Sequence, residues 1–250
     1  MVLFGCENQK IIRTDDLEVI KSVCEKANSQ TLVVFDMDNV LTESTERIFQ
    51  ADLYPKIKNI VMEYQKQVKE MPLSEREKQK AAQWKVAICL VDEKMPQLIR
   101  LLQERNIRVL MLTANLHGKL ADINSIEDLC DFRLKNLGID FEKSWSLPDF
   151  ERDFNTDLTV YSKGKIFTLE SKEIALQKFL NNIPKCKFQK IIFVDDKRKN
   201  LEKIEKLSKK LHMNFVGIEY VRVFTKPRPQ TDLYFVKQRF DQFRNKKTHH

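Results

Sequence analysis

The strongest constraint on the fold is a short apolar run that ends abruptly in two aspartates. Residues 32–42 read LVVFDMDNVLT, and the apolar part is uncharged and rich in branched and aromatic side chains. Such a run is typical of a strand buried on both faces, as in a parallel sheet. Ligands of open α/β sheets bind at the carboxyl ends of the strands, where Asp36 and Asp38 lie. The run therefore predicts an α/β fold with a ligand site.

The spacing of Asp36 and Asp38 predicts that both carboxylates face one site. Side chains two residues apart in an extended segment point the same way, so Met37 points elsewhere. Two close carboxylates repel unless one is protonated or a cation lies between them. Mg²⁺ suits such ligands, and a carboxylate beside an acid/base group can form an aspartyl-phosphate. The alternative is an ordinary strand end and turn, where Asp and Asn are common.

Length, charge and cysteines narrow the classes of protein. The 250 residues are 42% hydrophobic and 32% charged, which is enough to bury one large domain, or a domain with an insert. The net charge of +8 is scattered over predicted helices without an aromatic-basic motif, so nucleic acid is not an expected partner. The five cysteines include no C-x-x-C pair, which argues against zinc and predicts a reducing, cytoplasmic-type compartment.

Beyond residue 42, predicted helices alternate with apolar strands, which indicates a parallel sheet with right-handed crossovers. The predicted strands are residues 31–36, 107–112, 158–161, 165–168, 190–194 and 215–220. The predicted helices are residues 14–29, 94–105, about 120–136, 170–182 and 198–211. Thr14 is the expected cap of the first of these helices. Residues 43–92 are predicted to be a helical insert throughout, with Ser74 and Glu77 forming a capping box in its second helix.

The C-terminal residues 223–250 have a different pattern. Residues 226–229, KPRP, predict a stiff extended connector, after which Thr231 and Asp232 can cap a helix. The apolar side of that helix comprises Leu233, Val236, Phe240 and Phe243. We expect this stripe to dock on the domain. The alternative is a helix at an anionic membrane or a partner protein, because the segment ends in Arg244, Lys246 and Lys247.

Polar residues follow three of the predicted strands, and a lysine begins the helix before the third. Along the chain these motifs read DMDNV, LTAN, Lys172 and VDD. Their order resembles the haloacid dehalogenase (HAD) superfamily over residues 31–222. The resemblance implies a Rossmann-like HAD fold, in which helices flank a parallel central sheet and a helical cap follows the first strand. The implied units are a core of residues 1–42 and 93–222, a cap of residues 43–92 and the C-terminal piece, 223–250.

The resemblance also implies a role for each motif residue. Asp36 is expected to be the nucleophile and a Mg²⁺ ligand. Asp38 is expected to be the general acid/base and to bind the metal through its backbone carbonyl. Thr113, Ala114 and Asn115 are expected to bind the phosphoryl group, and Lys172 to compensate negative charge. Asp196 is expected to bind the metal directly. Asp195 is expected to act on the metal through water or to pair with Lys172. Lys163, Lys165 and Lys178 are alternatives for the lysine, and Asn200 is a further polar candidate.

Within the superfamily, Asp38 indicates phosphate ester hydrolysis, because dehalogenases lack this aspartate and P-type pumps carry threonine there. The stretches KGKIFT and IFVDDKRKNLE resemble HAD proteins of intracellular bacterial pathogens, among them a secreted effector phosphotyrosine phosphatase. The implied function is Mg²⁺-dependent hydrolysis of phosphotyrosine in proteins after export into host cells. Two alternatives remain: a phosphatase of a small phosphorylated metabolite, and a non-catalytic HAD-fold platform that contacts an anionic membrane through the C-terminal basic region.

Overall fold

The computed structural model describes residues 10–145, 155–183 and 186–245, which form an α/β protein. Its strands are β1 (Lys10–Thr14), β2 (Thr31–Phe35), β3 (Thr42–Ser44), β4 (Ile88–Leu90), β5 (Arg108–Thr113), β6 (Thr159–Ser162), β7 (Lys165–Thr168), β8 (Lys190–Asp195) and β9 (Asn214–Tyr220). Its helices are α1 (Leu17–Glu25), α2 (Tyr54–Glu70), α3 (Leu73–Lys85), α4 (Met95–Glu104), α5 (Ile126–Asn136), α6 (Lys172–Asn181), α7 (Arg198–Lys210), α8 (Arg222–Thr225) and α9 (Leu233–Asn245).

Seven strands form the central sheet of the described residues, in the order β1-β9-β8-β2-β5-β7-β6. Every pairing in this sheet is parallel except that of β6 with β7. Strand β2 lies between β8 and β5, so the carboxyl ends of these three strands meet at one edge. This arrangement confirms the predicted Rossmann-like α/β fold, with a parallel central sheet flanked by helices.

Both faces of β2 are buried, which explains its uncharged sequence. Val33 and Phe35 pack in a cluster with side chains of α1, α4 and α5, whereas Leu32 and Val34 pack in a cluster with side chains of α6 and α7. Alternate residues of a strand face opposite sides of a sheet, so each side chain of β2 meets a different helical layer. Asp36, the next residue, is thereby placed at the carboxyl edge of the sheet.

The insert (residues 43–92) lies between β2 and α4 and contains α2 and α3. The prediction that it is helical throughout is wrong at its ends, because β3 and β4 pair there in an antiparallel ribbon, with Thr42 opposite Leu90. Because this pairing joins residues that are far apart in sequence, no local sequence pattern predicts it. The prediction that Ser74 and Glu77 form a capping box is also wrong. Helix α3 begins directly after Pro72, which places Ser74 inside the first turn, and no side chain caps the helix.

Two further helix boundaries differ from the sequence prediction. Thr14 does not cap α1 but ends β1, a strand that the sequence did not predict and that pairs with β9. Asp16 caps α1 instead, with its carboxylate accepting from the Glu18 N–H at 2.9 Å. The helix expected from about residue 120 begins at Ile126, where Ser125 is the cap. In both helices the first residue follows a side chain that accepts from a free N–H group of the first turn.

Helix α9 packs on the insert, as predicted for its apolar stripe. Val236, Phe240 and Phe243 are buried in a cluster with apolar side chains of α2. The ring of Phe49 makes edge contacts with Phe240 and Phe243 at centroid distances of 5.9 and 5.0 Å. Leu233, predicted on the same stripe, is instead 48% exposed. The insert and α9 therefore share one small hydrophobic core.

Ion pairs attach the C-terminal connector to the base of the insert. Glu43 is buried and forms ion pairs with Lys226 and Arg228. Further along, Arg239 of α9 contacts Glu46 at 2.7 Å. The basic residues Lys246 and Lys247 and the side chain of Arg244, on which the membrane alternative depends, lie outside the described part of the structure. Among the described helices, none combines the length and apolar character required to span a membrane.

The shared core of α9 and the insert predicts a local loss of stability in Phe240→Ala. Phe240 is 4% exposed and also contacts the ring of Tyr64 at 5.3 Å. Truncation of a buried phenylalanine costs about 3–5 kcal/mol, so amide hydrogen exchange in α2 and α9 should accelerate. Phe235→Ala, on the same helix but 56% exposed, is the matched control and should leave exchange unchanged. Equal exchange in the two variants would show that α9 is not part of this core.

Candidate active site

Lys172 bridges two buried aspartates at the carboxyl edge of the sheet. Its Nζ lies 2.7 Å from Oδ1 of Asp36 and 2.7 Å from Oδ2 of Asp195. The three side chains are at most 6% exposed. The Met37 N–H donates to Oδ1 of Asp36 at 2.8 Å, so both contacts fall on the same carboxylate oxygen. The other oxygen, Oδ2, accepts no hydrogen bond from the described part of the chain. The bridge fixes the Asp36 carboxylate while leaving one oxygen for a ligand.

Asp195 is the last residue of β8 and Asp196 follows it, and the two carboxylates have different hydrogen-bond partners. Asn200 donates to both carboxylate oxygens of Asp195 at 3.0 Å, and the Lys197 N–H donates to its Oδ1 at 2.8 Å. Asn39 donates to Oδ2 of Asp196 at 3.2 Å. Oδ1 of Asp196 is buried and has no hydrogen-bond partner among the described residues. Both oxygens of Asp195 thus accept hydrogen bonds from the protein, whereas Asp196 keeps an unpaired buried oxygen.

Asp38 lies on the other side of the site, beside the end of β5. Its Oδ2 accepts from Asn115 Nδ2 at 2.8 Å, and the same amide lies 3.5 Å from the hydroxyl of Thr113. Thr113 is buried, whereas Asp38 and Ala114 are exposed. Asp38 and Asn115 line a cleft of about 290 Å³, which we call the Asp38 cleft; its walls include Phe49, Trp84 and Arg133. Asp38 is therefore the acidic group that solvent and a substrate can reach.

The site holds more carboxylate than its lysine can neutralise. Burial raises the pKa of Asp36 to about 8, although Lys172 opposes this shift, and burial also raises the pKa of Asp196. Burial by itself would lower the pKa of Lys172, but its contacts with Asp36 and Asp195 raise it. Desolvation by the surrounding protein raises the pKa of Asp38, although the charges of Lys172 and Lys197 oppose this shift. Crowded carboxylates of this kind favour a bound cation.

The residues present fit a divalent metal ion. One carboxylate oxygen from each of Asp36, Asp195 and Asp196 lies within 4.8 Å of the others. The unpaired Oδ1 of Asp196 lacks the partner that buried polar atoms normally have, and a cation would supply it. An all-oxygen carboxylate set suits Mg²⁺. Asp38, which the resemblance implies would bind the metal through its backbone carbonyl, contributes no carboxylate oxygen to this group.

The structure brings the motif residues together and separates the competing lysines. Lys163 and Lys165 pair with aspartates of α5, at 3.2 Å to Asp128 and 2.7 Å to Asp131. Lys178 pairs with Glu170 at 2.6 Å. Lys172 is the lysine of this set that contacts Asp36. Asn200, a secondary candidate in the sequence, proves to be the main hydrogen-bond donor to Asp195.

Two residues of the site were not assigned a role from sequence. Asn39 has a left-handed backbone with φ of 67°, a conformation that asparagine tolerates, and this turn brings its amide to Asp196. Its position directly after Asp38 was the available signal. Arg133 of α5 donates to the backbone carbonyls of Trp84, at 2.6 Å, and Val86, and so holds the end of α3 beside the Asp38 cleft. Nothing local in the sequence marks Arg133.

Comparison with known proteins places the chain in a family without giving it a function. A family model described as "protein of unknown function (DUF2608)" matches residues 13–248, which is most of the chain. No curated protein and no solved structure matches the sequence significantly. The matched region contains every residue of the candidate site described above. The chain belongs to the DUF2608 family.

Proposed function

We propose that the protein is a Mg²⁺-dependent phosphatase of the HAD type, which hydrolyses phosphate monoesters through an aspartyl-phosphate on Asp36. One observation carries the proposal. A buried carboxylate held by Lys172 lies beside a metal-compatible group, with the accessible Asp38 two residues away. Phosphoryl transfer requires this combination of a positioned nucleophile, positive charge and an acid/base group. Phosphotyrosine in proteins is the substrate class that we propose.

In the first half of the proposed reaction, Asp36 displaces the alcohol. Its free oxygen, Oδ2, attacks phosphorus, and the bond between phosphorus and the ester oxygen breaks. Asp38 donates its proton to the departing oxygen, so the alcohol leaves neutral. The raised pKa of Asp38 suits a group that must carry a proton at the start. Asn115, which contacts Asp38 at 2.8 Å, orients that carboxyl towards the cleft.

In the second half, water releases the phosphate. Asp38, now ionised, accepts a proton from a water molecule, which attacks phosphorus and breaks the bond to Asp36. Inorganic phosphate leaves, and Asp36 and Asp38 return to their initial states. Lys172 compensates negative charge on Asp36 throughout, and Thr113 donates its hydroxyl to a phosphoryl oxygen. A Mg²⁺ ion held by Asp36, Asp195 and Asp196 would neutralise the phosphoryl oxygens.

The lining of the Asp38 cleft favours an aromatic alcohol as the leaving group. Phe49 and Trp84 contribute rings to its walls, and Arg133 contributes a cation. Aromatic walls contribute apolar contact area to a flat ring. The volume of about 290 Å³ accommodates a tyrosine side chain. These features support phosphotyrosine over a highly polar metabolite.

Metal dependence is the test of the proposed function. Wild-type protein should hydrolyse p-nitrophenyl phosphate with Mg²⁺ and lose this activity in EDTA. Mg²⁺ should also raise the melting temperature, because saturation to about 100 times Kd adds ~2.7 kcal/mol of stability. Asp196→Asn keeps the shape of the side chain and an acceptor for Asn39 but should abolish both effects. Turnover that is unaffected by EDTA, or a melting temperature that Mg²⁺ shifts equally in wild type and Asp196→Asn, would contradict the proposal.

A further inference from the structure

A second cavity lies beside the Asp38 cleft and has a different character. It has a volume of about 510 Å³ and lies between α2 of the insert, α8 and α9. We call it the apolar pocket; its apolar side chains include Tyr54, Ile57, Tyr64, Phe224 and Phe240. Asp196 and Lys197 also line it. An apolar cavity with a residue of a metal-compatible group in its wall is a typical ligand site.

The apolar pocket and the Asp38 cleft share walls. Asn39, Phe49 and Gln83 line both cavities. Asn39 also links the two sides of the site, because it follows Asp38 in the chain and donates to Asp196. A substrate whose phosphorylated group fills the Asp38 cleft therefore has its neighbouring atoms at the entrance of the apolar pocket. The two cavities form adjacent compartments of one binding surface.

Two aromatic side chains that line the pocket, from different parts of the fold, are exposed to solvent. Tyr54 of α2 is 45% exposed and Phe224 of α8 is 43% exposed. Exposed aromatic side chains that flank a cavity gain contact area when a ligand covers them. An extended peptide places alternate side chains in adjacent pockets, and such pockets determine its sequence specificity. The net charge of +8 and Lys197 at the pocket favour a peptide that carries negative charge.

We propose that the apolar pocket binds a large apolar side chain next to the phosphotyrosine of a peptide substrate. This inference rests on the proposed function and adds a sequence preference to it. The phosphorylated ring occupies the Asp38 cleft, and the neighbouring aromatic or aliphatic side chain fills the pocket between Tyr54 and Phe224. The preference comes from contact area in the pocket and requires no change at the catalytic groups.

A peptide-binding experiment with full-length Asp36→Asn protein tests the inference without turnover. The probes are fluorescent phosphotyrosine peptides in which a single phenylalanine is scanned along an otherwise serine-rich sequence, and Kd is measured by anisotropy. At one position phenylalanine should tighten binding about tenfold over serine, as expected for burial of one apolar side chain. Tyr54→Ser and Phe224→Ser, added separately, should remove this gain. Both residues are partly exposed, so their truncation should leave the melting temperature close to that of the parent.

Met62→Ser is the matched control, since Met62 lies on α2, is 53% exposed and does not line the pocket. It should keep the full gain from phenylalanine. The inference is overturned if no position shows the gain, if Tyr54→Ser and Phe224→Ser retain it, or if unphosphorylated peptides show the same gain. Wild-type turnover of p-nitrophenyl phosphate separates the two proposals. Turnover without the gain refutes only the pocket, whereas the gain without turnover refutes only the phosphatase activity.

Discussion

Asp36→Asn should abolish phosphatase turnover while the protein remains folded. Asparagine keeps the volume of the side chain and an oxygen for the Met37 N–H and Lys172, so the local packing survives. It lacks the carboxylate that attacks phosphorus, so we expect kcat for p-nitrophenyl phosphate to fall by at least about 10³-fold. Steady-state kinetics with Mg²⁺ measures the loss, and circular dichroism checks the fold.

Asp38→Asn provides the comparison that isolates the role of Asp36. This variant keeps the nucleophile but cannot donate or accept the proton, and loss of such a group typically lowers the rate by about 10²–10⁴-fold. Because p-nitrophenolate leaves without protonation, the first half of the reaction should survive in Asp38→Asn. Rapid mixing should then show a burst of p-nitrophenol that matches the enzyme concentration, followed by slow turnover. Asp36→Asn should show no burst. A steady-state rate of Asp36→Asn within about tenfold of the wild-type rate would refute the assignment of Asp36 as the nucleophile.

Lys172→Met should lower both stability and activity. Lys172 is 5% exposed and contacts Asp36 and Asp195 at 2.7 Å, so its loss leaves two buried carboxylates without their partner. Removal of one partner from a buried ion pair costs about 3–5 kcal/mol, which is a large share of the ~5–15 kcal/mol that stabilises a typical domain. Urea unfolding without Mg²⁺ measures this loss. With Mg²⁺ present, kcat should fall by about 10²–10³-fold, as for other removed charge-stabilising donors.

Lys178→Met is the matched control on the same helix. Lys178 also forms one ion pair, with Glu170, but its side chain is 38% exposed. An ion pair at the surface contributes about 0–1 kcal/mol because water screens it, so this variant should unfold close to wild type. A similar loss of stability in the two variants would mean that the buried bridge of Lys172 contributes no more than a surface pair.

The strand-end residues of the site could be predicted from the sequence because their signals are local. A strand covered by helices on both faces must be largely apolar, so β2, β5 and β8 are recognisable in the sequence as continuous apolar runs. The polar residues at their carboxyl ends, Asp36, Thr113 and Asp195, must then lie at the carboxyl edge of a parallel sheet. Their proximity follows from the geometry of that sheet, and the structure brings them together as expected.

Several elements could not be predicted because their stability comes from distant partners. Strand β1 pairs with β9, and β3 pairs with β4, across large separations in sequence. In a short strand such as Lys10–Thr14, the hydrophobic pattern is too brief to differ from that of the neighbouring residues. Its conformation is therefore decided by pairing with a distant strand. Thr14 was therefore interpreted as a helix cap. The same limit applied to residues 88–90, which were assigned to the helical insert.

The sequence by itself determined the α/β class, the carboxyl edge and the acidic residues there, because burial and strand geometry act on neighbours along the chain. The resemblance already favoured Lys172 among the candidate lysines, and the tertiary structure shows that Lys172 contacts Asp36. It also decided that Asn39 reaches Asp196 and that α9 completes the insert. The Asp38 cleft combines residues from the insert and the core, and the apolar pocket also includes residues of α8 and α9. Such contacts depend on how separate elements pack, and packing is fixed by the shapes of surfaces that are distant in sequence.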